Sequence, residues 1–286
     1  MDFQKIKRVL WLTLGWNFIV ALAKILLGFF SGALSILSDG IHSLFDSFTN
    51  VAGIIGIKFA EKPVDESHPY GHRKYEAIAS QIIFTFLVIT SWEIIRSIFE
   101  KISASETIHP AINWFTFAVL ICCLIVDAFV ARYEFRKSVE LKSMILKADS
   151  MHTKSHYVTT GSVLLGAVLI KLGLPPVIDP LIAIIVVLFI VNMAYEIFAE
   201  TSAVLSDKVL IDKEKIREIA ESVKEVKSCH QIRTRGDGGH IFLDIHIIVA
   251  PDFSLEKAHK ICHQVSDKIQ KEIPEVKDII VHSEPK

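Results

Sequence analysis

Six apolar runs, at about 9–30, 33–59, 78–99, 112–131, 150–171 and 177–203, occupy the first two thirds of the chain. Each is near or above the ~20 residues that a helix needs to cross the hydrocarbon of a bilayer. The pattern therefore predicts six transmembrane helices. Runs two and five are the least clean, because ionisable residues interrupt them. From about Asp207 the composition turns abruptly charged. Asp212 to Val226 reads as a helix with Ile216, Ile219, Ala220 and Val223 as its apolar stripe. His230 to Arg235 and His240 to Ala250 read as a hairpin around Gly236-Asp237-Gly238-Gly239, and the second strand alternates Ile241, Leu243, Ile245, Ile247 and Val249 against polar neighbours. Ser254 caps a helix that runs to about Ile273 and stops at Pro274, and Asp278 to His282 forms a last strand. The expected fold is thus an α-helical membrane protein of six transmembrane helices (1–206) followed by an α+β domain (207–286) of order α-β-β-α-β, an open-faced sandwich.

Composition supports the membrane reading. Of 286 residues 51% are hydrophobic, and the mean hydropathy is +0.43, both high for a soluble protein of this length. A formal net charge of −1 gives no reason to expect a nucleic-acid partner. Cys122, Cys123, Cys229 and Cys262 form no CxxC pair and no disulfide framework, so they read as structural thiols. The first apolar run is too long for a signal h-region and lacks a small-residue cleavage site, so no cleavable signal peptide is expected. Basic residues are uneven: Lys5, Lys7 and Arg8 precede run one, Lys62, Arg73 and Lys74 follow run two, and Arg132, Arg136, Lys137, Lys142 and Lys147 join runs four and five. The opposite loops offer little beyond Lys101 and Lys171. That bias places both termini in the cytoplasm of a multi-pass cell-membrane protein.

The chemistry lies where the apolar pattern breaks. His42 and Asp46 are four apart in run two, and His152 and His156 are four apart in run five. On a helix such pairs share a face. Ionisable groups at bilayer depth are costly unless paired or functional, and two ligand pairs on two helices can surround one tetrahedral ion. Three imidazoles and a carboxylate suit Zn²⁺, with Co²⁺, Ni²⁺ or Fe²⁺ as neighbours, and suit Mg²⁺ or Ca²⁺ badly. Asp39 and Asp149 read either as groups that orient these ligands or as capping and structural carboxylates, and Asp127 as a proton relay or a structural acid. Asp65, His68 and His72, in the loop after run two, read as a second metal site or as a solvated polar loop. The C-terminal region carries His230, His240, His246, His259, His263 and His282, with Glu284 close behind. Singly these are surface residues; together they favour a metal cluster. No P-loop glycine motif accompanies them, so ATP is not the expected energy source, and no His-Glu-x-x-His motif points to a metallohydrolase.

Taken together, these residues resemble the cation diffusion facilitator family of divalent-metal/proton antiporters, most closely its bacterial zinc- and iron-exporting branch. The likeness spans the paired ligands, the His-Pro-Tyr-Gly-His-Arg-Lys-Tyr-Glu loop and the histidine-rich tail. It implies a homodimeric, non-enzymatic exporter whose transport site is His42, Asp46, His152 and His156 and whose loop site is Asp65, His68 and His72. It further implies a dimer-interface site of His230, His246, His259, His282 and Glu284, and a charge interlock of Lys74 with Asp207. Zn²⁺ is expected both as substrate and as a bound structural or regulatory ion, protons as the exchanged species, and no organic cofactor. His156 departs from the family, most of whose members have Asp there. The alternative function is a non-transporting metal sensor or scaffold.

Overall fold

The computed structural model describes residues 2–31, 34–104, 114–175 and 177–286. Two compact units emerge, Met1–Thr201 and Ser202–Lys286. The first contains long helices: α1 (Phe3–Ser31), α2 (Leu34–Ala60), α3 (Lys74–Ala104), α4 (Trp114–Leu141), α5 (Met144–Lys171) and α6, which begins at Ile178 and ends at Leu205.

The expectation of six membrane spans is not met. Among the described residues only three helices are long and apolar enough to cross a membrane: Phe3–Phe30, Lys74–Glu100 and Ile178–Leu205. Length does not separate the helices, because α2, α4 and α5 have 27, 28 and 28 residues. Polarity does. In α4 a run of Arg132, Glu134, Arg136 and Lys137 follows Asp127, and α5 mixes Lys147, Asp149, His152, Lys154 and His156 with Ser and Thr. In α2 the apolar stretch is broken by Asp39, His42 and Asp46.

Packing in this unit pairs α1 with α2 and α4 with α5. A fully buried layer of Leu10, Ile57, Ile83, Leu87, Ile145, Leu146 and Ile190 ties five of the helices together. Gly56 lets α2 approach α3, since a Cβ there would lie 2.2 Å from the Cβ of Ala79. Ser143 caps α5, accepting from the Leu146 amide. The same Ser143 hydroxyl donates to Glu76 Oε1 at 2.6 Å, and Glu76 is itself 1% exposed. A buried carboxylate of α3 thus fixes where α5 begins.

The second unit follows the order α7 (Lys213–Glu221), β1 (Ser228–Asp237), β2 (His240–Val249), α8 (Leu255–Glu272), β3 (Val276–Pro285). That is the α-β-β-α-β order the pattern predicts, with a shorter first helix and a longer last strand. β1 pairs antiparallel with β2, and β3 pairs parallel with β2 on its other side. Ile241, Leu243, Ile245 and Ile247 of β2 pack against Ile216, Ile219, Ile261, Val265 and Ile269 from the two helices. Both helices therefore cover one face, and even-numbered β2 residues point to the other. The hairpin turns at Gly238-Gly239, where Asp237 Oδ1 accepts from the Gly239 amide at 2.8 Å. Gly236 has φ +124°, and a Cβ there would meet the His240 carbonyl oxygen at 2.2 Å, so only glycine fits.

Candidate metal centres

Asp46 of α2 stands at the meeting point of the intrahelical ligand pairs. Its Oδ2 lies 3.7 Å from His42 Nε2 and 3.5 Å from His156 Nε2, and its Oδ1 lies 3.8 Å from His152 Nε2. The Nε2 atoms of His152 and His156 are 3.2 Å apart. Around a tetrahedral ion with ligand bonds of about 2.0–2.1 Å, neighbouring donors are separated by roughly 3.3 Å. The observed edges bracket that value. Asp46, His152 and His156 each offer an atom within 4.8 Å of the others. His42 joins the group through Asp46 and through an edge-on contact with the His156 ring, centroids 6.1 Å apart, and its side chain is 46% exposed. Asp46 Oδ2 and His152 Nδ1 are buried polar atoms with no hydrogen-bond partner, a state that ordinarily costs about 1–3 kcal/mol. A cation between these donors relieves the first directly.

Beside this group is a cavity of about 30 Å³ lined by Asp46, His152, His156, Asp127, Asn17 and Ser43. Asp127, 9% exposed, therefore belongs to the same compartment. Asp149 does not reach it. Its carboxylate accepts from Thr49 Oγ1 at 3.3 Å and from Asn50 Nδ2. Thr49 also donates to the Asp46 carbonyl at 2.8 Å, and Asn17 donates to Asn50 at 2.9 Å. A polar seam across α1, α2 and α5 thus underlies the ligand group. The side chain of Asp39 lies outside the described residues.

In the loop between α2 and α3, Asp65, His68 and His72 also converge within 4.8 Å. Asp65 Oδ2 is 3.3 Å from His72 Nε2, and Asp65 Oδ1 is 3.3 Å from His68 Nδ1. The Pro63 carbonyl lies 3.0 Å from His72 Nδ1 and can only accept, so Nδ1 carries a proton and Nε2 is turned toward Asp65. The Ser67 hydroxyl first, and then the His68 amide, hold the Asp65 carboxyl down at about 2. Gly71, at φ +79°, turns the chain into His72, which is 5% exposed.

The third group is written across the sheet. Register places His230 opposite His246 and His246 opposite His282, one histidine per strand in a row. Glu284, two residues beyond His282, shares that face. Its Oε1 is 2.8 Å from His246 Nδ1 and 3.8 Å from His282 Nε2, and its Oε2 is 3.4 Å from His230 Nε2. His246, followed by His230 and His282, draws the Glu284 carboxyl below its usual range. His259 is not brought in. It sits on α8, on the helix-covered side of the sheet, with its Nε2 3.1 Å from that of His263.

Residues 10–206 match the profile of the cation efflux transmembrane domain, and residues 210–286 that of the cation efflux protein cytoplasmic domain. The chain belongs to the cation efflux family. It is accordingly a multi-pass membrane transporter with a cytoplasmic α+β domain, and the two matched domains are those of transport rather than of an enzyme. An uncharacterized transporter of Methanocaldococcus jannaschii is 33% identical over 269 residues, 93% of this chain and 94% of that one. The cation-efflux pump FieF of Shigella boydii is 27% identical over 270 residues, 93% and 88% of the two chains. The manganese efflux system protein MneS of Bacillus subtilis is 27% identical over 257 residues, 89% and 87%.

Within this cation efflux protein, Lys74 opens α3 in the first unit, and Asp207, at φ 55°, follows α6 in the second. The residues that sequence reasoning missed are Thr49, Asn50 and Glu134. Glu134 is fully buried, yet in sequence it stands among Arg132, Arg136 and Lys137 and reads as part of a solvated face. Only its seven-residue spacing from Asp127, two helical turns along α4, hints at a shared inward side.

Proposed function

We propose that this transporter exports a divalent transition-metal ion, Zn²⁺ foremost, from the cytoplasm in exchange for protons. The convergence of Asp46, His152 and His156 from two helices into one donor set carries the reading. A nitrogen-rich set of this kind favours Zn²⁺, Co²⁺, Ni²⁺ or Fe²⁺ over ions that prefer oxygen, which distinguishes it in expectation from a manganese exporter. Cd²⁺ belongs with the softer candidates.

Moving a divalent ion out against an inside-negative potential costs about 4.6 kcal/mol per 100 mV, at about 2.3 per charge. Protons entering down their gradient supply that work. Metal ligands must be deprotonated to bind, so metal arrival releases protons and reprotonation on the outer side ejects the metal. The ligand pairs on α2 and α5 rock between the two sides without opening a continuous pore. Both termini lie in the cytoplasm.

The loop group of Asp65, His68 and His72 binds a second ion. The sheet group of His230, His246, His282 and Glu284 binds a structural or regulatory one. His259, remote from that group within one chain, joins it across the interface of a homodimer, which Lys74 and Asp207 help to interlock. The test is Asp46→Ala. Proton-linked Zn²⁺ flux should vanish while the protein stays folded and dimeric, and retained flux would refute the assignment. Metal binding by the sheet group without any flux in the parent protein would point instead to a sensor.

A further inference from the structure

Glu134 of α4 and Asp149 of α5 face each other with their side chains buried, at 0% and 1% exposure. They interact directly, each bearing on the other's charge. The surrounding donors are all neutral. Thr49 and Asn50 of α2 serve Asp149, while Thr153 of α5 donates to Glu134 Oε2 at 3.1 Å and Thr13 of α1 also reaches Glu134. Among the described residues neither carboxyl has a Lys or Arg partner. Lys147, two residues before Asp149, is engaged by Glu196 and Glu200 of α6 at 2.9 and 2.8 Å. Lys24 of α1 donates to Ser43. Other acids on the packed helices include Glu76 of α3, held at the start of α5, and Asp46 of α2 and Asp127 of α4 on the ligand side.

Two buried carboxylates in contact, with no Lys or Arg partner among the described residues, cannot both be ionised at a tolerable cost. One buried carboxylate is sustained by the neutral donors of Thr49, Asn50 and Thr153. The second needs a proton, and one atom shows where it fits: Glu134 Oε1 is fully buried and has no hydrogen-bond partner. A proton on that oxygen turns it into a donor toward Asp149 and removes both the orphan and the repulsion.

We propose that Glu134 and Asp149 form a carboxyl pair that holds one shared proton while the neighbouring metal site is empty and releases it to water when the ion binds. Asp149 lies one turn before His152 along α5, and Thr49 hydrogen-bonds to both the Asp149 carboxylate and the Asp46 carbonyl. The charge of a bound divalent ion is therefore felt at the pair through a short path. When the ion leaves, the pair takes one proton back. The pair supplies part of the proton count of the exchange and ligates nothing. This rests on the proposed metal/proton exchange.

The test uses the full-length protein in detergent, titrated with Zn²⁺ in weakly buffered solution with a pH indicator, alongside infrared difference spectra. The parent protein should release about one more proton per ion than Glu134→Gln or Asp149→Asn. The double variant should lose no more than either single one, because the pair holds one proton between them. The metal-free parent should show a protonated-carboxyl C=O band that shrinks on adding Zn²⁺ and is missing in Glu134→Gln. Equal proton release by parent and both variants, or a parent band indifferent to Zn²⁺, would overturn the pair. If both variants fail to fold, the parent spectrum alone decides. A parent protein that binds Zn²⁺ with no proton release at all would instead defeat the exchange reading.

Discussion

Asp46 Oδ1 lies 3.8 Å from His152 Nε2, and this is a contact between α2 and α5 rather than within either helix. One carboxylate thereby gathers imidazoles from its own helix and from its neighbour. If these groups act as one site, removing either partner removes the site. His152→Ala should abolish metal-dependent flux as fully as Asp46→Ala, and the double variant should be no worse than each alone. Independent losses that multiply in the flux assay would show that the two act separately.

His156 sets the charge of the group. His156→Asp replaces a neutral nitrogen donor with an anionic oxygen, making the site harder. Competition flux assays should show the ratio of Mn²⁺ to Zn²⁺ transport rising several-fold. An unchanged ratio would mean that selectivity is decided elsewhere.

Gly56 and Ala79 set the distance between α2 and α3, since a Cβ on Gly56 would overlap that of Ala79. Gly56→Ala should destabilise the protein by about 1–3 kcal/mol, the usual range for overpacking. Ala79→Gly in the same chain should restore much of the loss. Thermal denaturation of the detergent-solubilised protein reads both effects.

Burial first, and then the Glu221 carboxylate, push the Cys229 thiol up to about 11 from an ordinary 9.0. A raised value means less thiolate at any neutral pH, by about a hundredfold for two units. Cys229 is 6% exposed as well. Alkylation near pH 8 should therefore label Cys262 well before Cys229, with labelling of Cys229 accelerating as the pH rises toward 11. Mass spectrometry of timed quenches checks the order.

The cytoplasmic fold was legible because its signals are local. Alternation along Ile241 to Val249, the Ser254 cap and the Pro274 stop each constrain one element, and the strands and helices appear in that order. The pairing of His42 with Asp46 and of His152 with His156 on shared helix faces was legible for the same reason, as four-residue spacing needs no tertiary knowledge. The span count departs from the pattern because an apolar run marks a helix, whereas a span needs an uninterrupted apolar stretch, and among the described residues of α2, α4 and α5 polar and ionisable groups break it. His42 was placed beside its partners by spacing, but side-chain direction leaves it half outside. His259 falls in the tail cluster by resemblance, and within one chain α8 sets it on the other side of the sheet from His230, His246 and His282. Glu134 was hidden by the basic residues around it, and only the packing of α4 on α5 reveals that it points inward.

The most direct test of the central claim is ion flux in proteoliposomes under an imposed pH gradient, across Zn²⁺, Fe²⁺, Co²⁺, Ni²⁺, Cd²⁺ and Mn²⁺. Zn²⁺ should move against a counterflow of protons, faster with the gradient imposed, and should not move at all in Asp46→Ala. Folded protein that moves none of these ions in response to the gradient, or moves Zn²⁺ with no counterflow of protons, would contradict it.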